Sequence, residues 1–64
     1  MQRWRLVVFA DVDASETTVI LDAETESEAF TLARAKVDRM RRLMRLPMAA
    51  TTVVEYQEIE RCNA

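Results

Sequence analysis

Sixty-four residues with no histidine, no glycine and a single cysteine make room for one small domain and little chemistry. Without histidine there is no Ser–His or Cys–His pair and no imidazole base. Without glycine there is no phosphate-cradling loop, because a Cβ blocks the close backbone approach that such loops need.

The same composition removes the usual supports of a small fold. Cys62 has no partner for an internal disulfide, and one sulfur falls short of the four ligands of a structural zinc site. Carboxylates are abundant, but so short a chain builds no deep cleft in which a pair of them would work. The expectation is a non-enzyme with no cofactor and no metal. A core of this size contributes only about 3–5 kcal/mol, so association with another chain is the expected missing support.

Charge is segregated along the chain. The first 33 residues hold two basic residues against seven acids, whereas residues 34–46 hold six basic residues against Asp38 alone. The whole chain has net charge −2. No run reaches the ~20 apolar residues of a membrane span, and MQRW lacks the apolar stretch of a signal peptide. No membrane partner is expected. An unpaired cysteine suits a reducing compartment, so a cytoplasmic location is expected.

Residues 3–12 read as the first strand, rich in β-branched and aromatic residues. Alternation puts Trp4, Leu6, Val8, Ala10 and Val12 on one face, with Arg3, Arg5, Val7, Phe9 and Asp11 on the other. A strand with apolar residues on both faces belongs in the middle of its sheet. Residues 13–16, DASE, form a turn of four or five residues, since a tight type I′ hairpin would need glycine. Residues 17–23 give a second strand.

Thr25 with Glu28 three residues later forms a capping-box start. Glu24, Glu26 and Glu28 then sit at the end of the helix dipole that favours acids. The helix is expected over about 26–46, stopped by Pro47. Phe30, Ala33, Val37, Met40 and Met44 form its apolar stripe, widened by Leu32 and Leu43. Trp4 is expected beneath Met40 or Met44. Residues 50–62 read as a third strand.

The order β-β-α-β with a right-handed crossover gives an α+β fold. It is a three-stranded antiparallel sheet of order 2-1-3 with one helix packed on one face. The other face then exposes Val7, Phe9, Ile20 and, depending on register, Val53 or Val54. Self-association is assigned to Val7, Phe9, Ile20 and Val53, giving a homodimer formed back to back or through an edge strand. The long third strand is the expected edge.

Arg34, Arg41 and Arg45 share one side of the helix with Asp38, and Arg42 lies beyond them. Guanidinium groups fork well onto carboxylates and phosphates, so Arg34, Arg41, Arg42 and Arg45 are the expected partner contacts. The reading is a small protein-interaction module, of the kind found among phage or regulatory factors, that binds another protein. Alternatives are a nucleic-acid binder using the same arginines across a dimer, with Phe9 between Arg3 and Arg5 as a stacking surface, and a structural subunit of a larger assembly.

Overall fold

The computed structural model describes residues 1–61. Strand β1 is Gln2–Ala10, β2 is Ser15–Ala23, helix α1 is Glu26–Leu43 and β3 is Thr51–Arg61. The sheet order is β2-β1-β3, with β1 antiparallel to both neighbours. The helix packs on one face, so the fold is α+β as its patterning dictates. Cys62 lies outside the described residues.

Alternation along β1 sets the core. Trp4, Leu6, Val8 and Ala10 are buried beneath α1, while Arg3, Arg5, Val7 and Phe9 are half-buried on the bare face. Val19 and Ala23 from β2 and Ala29, Ala33 and Val37 from α1 complete the cluster. The small side chains at Ala23, Ala29 and Ala33 let the helix settle close to the sheet. Val12, expected inward, instead falls in the β1–β2 turn and is exposed.

Trp4 sits under the beginning of α1, not beneath Met40 or Met44. Strand pairing explains this: Trp4 lies opposite Leu21, near the end of β2 from which the helix departs. Its indole Nε1–H donates to the Ala23 carbonyl at 3.2 Å, which satisfies the one polar group of a buried ring. Tyr56 lies 6.5 Å from Trp4 between ring centroids, and Phe30 meets Tyr56 edge-on at 4.8 Å. Both spacings fall in the favourable aromatic range.

Both helix ends are capped. The Thr25 hydroxyl accepts from the Glu28 N–H at 3.1 Å, as an N-cap should. At the other end Leu46 N–H reaches the Arg41 carbonyl at 2.9 Å and Arg45 N–H reaches Arg42 at 3.1 Å. This is a Schellman closure, with Arg45 at φ 58° in the left-handed position that glycine usually takes. The helix therefore stops at Leu43, a turn short of Pro47, because the left-handed residue turns the chain away first.

Strand β3 is irregular. Its register against β1 shifts between Val7 and Val8 and again between Arg3 and Trp4, so Val54 and Ile59 are extra residues without an opposite number. Val53 pairs with Val8 and packs against the core on the helix side. That corrects the assignment of Val53 to self-association. The first bulge takes Val53 off the bare face and leaves Val54 exposed.

Candidate surfaces on the two flanks of the helix

Arg41 is the residue whose setting departs most from expectation. It continues the buried stripe Ala29, Ala33, Val37 and is 5% exposed. At this end the helix lies over the β1–β2 turn, where polar groups need partners, and Arg41 supplies them. Its Nη1 and Nη2 donate to Asp13 Oδ2 at 3.2 and 3.3 Å, Nη1 to Ser15 Oγ at 3.3 Å and Nη2 to the Pro47 carbonyl at 3.1 Å. Arg41 is thus an internal clamp and is removed from the surface contacts. Its Nε is buried without a hydrogen-bond partner among the described residues.

Asp13 organises the same turn. Its Oδ1 accepts from the Ser15 hydroxyl at 2.7 Å and the Ser15 N–H at 3.2 Å. The Ser15 hydroxyl above all holds the Asp13 carboxyl below its ordinary value; desolvation opposes it, and the Ser15 backbone N–H and Arg41 add to the lowering. Next to it, Asp11 N–H donates to the Ala50 carbonyl at 3.2 Å and Asp11 Oδ1 accepts from Ala50 N–H at 3.1 Å. The turn thereby pins the segment that leads into β3.

That pinned segment forms one wall of a groove. Thr31, Arg34, Ala35 and Asp38 line the helix side and Ala49, Ala50 and Thr51 the other, around an open space of about 350 Å3. Arg34 Nε donates to Thr51 Oγ1 at 3.5 Å, and Asp38 accepts from Arg42 at 3.0 Å. Arg34, Asp38 and Arg42 therefore run along the β3 side of α1, and Arg45 lies past the end of the helix. Arg34 and Arg45 have no acidic partner among the described residues. Met44 and Met48, beyond the last turn of α1, are exposed. Sequence reading found the arginines but missed the opposite wall. The signal available was the run of small residues Ala49, Ala50, Thr51 facing Thr31 and Ala35.

The bare face of the sheet is more polar than its sequence promised. Arg3 bridges Asp22 at 3.1 Å and Glu60 at 3.5 Å, and Arg5 approaches Glu55 at 3.8 Å. Arg3 is thus met by acids on both edge strands and Arg5 by one on β3. Val7 and Phe9 are half-buried among these rows, and Ile20 and Val54 are exposed.

The opposite flank of α1 mixes apolar and basic residues. Because Arg34 and Phe30 turn toward β3, the other side of the buried stripe turns toward β2. It carries Leu32, Met40 and Leu43, all exposed, with Lys36, also exposed, between them. Among the described residues no group of three or more His, Cys, Asp or Glu side chains is gathered as a metal site. Nor, among those residues, is any helix long and apolar enough to cross a membrane. No family model matches the chain, and comparison with curated proteins and with solved structures finds no match in either.

Proposed function

We propose that this chain is a small non-enzymatic protein-interaction module whose partner lies in the groove between α1 and residues 49–51. One observation carries this reading: Arg34, without an acidic partner among the described residues, lines an open groove together with Asp38, to which Arg42 is bridged. The partner that fits is an extended, acidic segment of another protein. Its carboxylates would fork onto the guanidinium groups, while apolar residues would reach the exposed Met44 and Met48. Methionine suits such a surface because its flexible thioether repacks around differing side chains. A phage or regulatory factor acting in a reducing cytoplasm is consistent with the lone cysteine.

The test is site-specific photo-cross-linking in cells expressing the protein. A photoreactive residue in place of Ala35, on the groove wall, is expected to give adducts with protein. The adducts should be lost when Arg34 and Arg45 are both changed to Glu. Nuclease-sensitive adducts, or adducts indifferent to those two changes, would overturn the reading.

A further inference from the structure

We propose, on the reading of the groove as a partner site, that Asp11 is its positioning residue. Asp11 fixes the wall formed by residues 49–51 and, through Thr51, the guanidinium of Arg34.

The wall needs such a fastener. Residues 46–50 belong to neither helix nor strand, so no ladder holds them. Leu46, Pro47, Met48 and Ala50 are exposed, so apolar packing does little to hold them either. Among the described residues two side chains bond to the backbone of this segment. Arg41 Nη2 donates to the Pro47 carbonyl at 3.1 Å, where the segment leaves the helix. The Asp11 carboxylate accepts from the Ala50 N–H at 3.1 Å, where the segment enters β3.

The local geometry explains why an acceptor side chain stands at position 11. Strands β1 and β3 pair antiparallel as far as Ala10 opposite Thr51. The Asp11 N–H still donates to the Ala50 carbonyl at 3.2 Å, as the next rung of the ladder would. The chain then turns away over residues 11–14, and Oδ1, in place of the Asp11 carbonyl, accepts the return bond. Any residue other than proline supplies the first bond through its backbone. Only a side-chain acceptor supplies the second. Asp11 is itself exposed and lines no part of the groove, so it acts on the site through the wall alone.

Arg34 makes the position of the wall matter. Its Nε donates to Thr51 Oγ1 at 3.5 Å, near the outer limit of such a bond. A small outward shift of Thr51 therefore breaks it. While it holds, Nε faces the wall, and both Nη groups, without partners among the described residues, are left for the fork that a carboxylate accepts.

Amide hydrogen exchange and the Arg34 Nε–H resonance, both read by NMR, test the proposal beside photo-cross-linking from position 35. In Asp11→Ala the Ala50 amide is expected to exchange about tenfold faster, the worth of one hydrogen bond to a charged group. The Arg34 Nε–H resonance should move, the β1 amides should keep their protection, and adducts with protein should fall. Asp11→Asn, whose carboxamide oxygen accepts the same bond, should restore all three signals. An Ala50 amide unchanged in Asp11→Ala would overturn the proposal, as would a released wall with adducts at the wild-type level. A loss of adducts that Asp11→Asn does not restore would overturn it too. If the wild type gives no protein adducts, the partner reading of the groove falls, while the exchange and resonance measurements still decide whether Asp11 holds the wall and Arg34.

Discussion

Arg41 Nη1 stands 3.2 Å from Asp13 Oδ2, tying the last turn of α1 to the β1–β2 turn across 28 positions of sequence. The two partners are unequally placed, since the Arg41 side chain is 6% exposed and that of Asp13 is 41% exposed. Water therefore screens the carboxylate side of the pair. The interior side consists of a guanidinium that must keep its hydrogen bonds, one of them to the Pro47 carbonyl. Arg41→Ala leaves a cavity and unpartnered acceptors, and a loss of about 2 kcal/mol is expected. Arg41→Met should cost less, because it fills the space and removes a buried Nε that has no partner. Urea unfolding followed by tryptophan fluorescence measures both; an Arg41→Met variant less stable than Arg41→Ala would contradict the argument.

The same turn gives the fold a dependence on acid. The folded-state carboxyl of Asp13 is depressed, first by the Ser15 hydroxyl. A depressed carboxyl contributes stability that is fully present above the unfolded value, near pH 4. That contribution is lost as pH falls through the lower folded value. Urea midpoints should therefore fall below about pH 4, and Asp13→Asn should flatten that part of the profile.

Tyr56 acts at the other end of the scale. A hydrogen bond to Glu26, then that carboxylate's charge and desolvation, raise the phenol above its ordinary value. Its contribution is complete below about pH 10 and is lost as pH rises through the folded value. In Tyr56→Phe the alkaline decline should diminish while the acid limb stays unchanged.

The fold was readable because its strongest signals are local and mutually consistent. Apolar residues on both faces, Trp4, Leu6 and Val8 on one and Val7 and Phe9 on the other, placed β1 in the centre, and Thr25 with Glu28 marked the start of α1. What escaped were features decided by long-range contact. Arg41 looks like a surface charge until Asp13 and Ser15 are known to lie beneath it. Val53 and Val54 exchange roles at a bulge that no neighbour in sequence announces. The groove depends on residues 49–51 being held by Asp11, 39 positions away.

Two backbone positions offer stabilising changes. Ala14 at φ 55° and Arg45 at φ 58° occupy the left-handed region without being glycine. A side chain there is disfavoured by about 1–2 kcal/mol, while glycine makes the unfolded chain more flexible and offsets part of the relief. A net gain of about 0.5–1 kcal/mol is expected for Ala14→Gly. Arg45→Gly should gain a similar amount while removing the guanidinium that lies past the end of α1. Thermal unfolding of the two variants and their combination checks this, and any departure from additivity measures the coupling of the two turns through Arg41.

The bulges in β3 also make a prediction about solubility. Val54 has no opposite residue on β1, and Val53 and Glu55 on either side pair with Val8 and Val7. Deleting Val54 therefore restores continuous register without moving Tyr56 from its place opposite Leu6. The core should survive, since its β3 contribution remains on the helix side. The edge, however, becomes longer and straighter, which favours pairing with other strands. The deletion variant should keep its circular dichroism spectrum yet scatter more light as concentration rises, and deletion of both Val54 and Ile59 should do so more strongly. A deletion variant no more prone to association than the wild type would show that the bulges do not guard this edge.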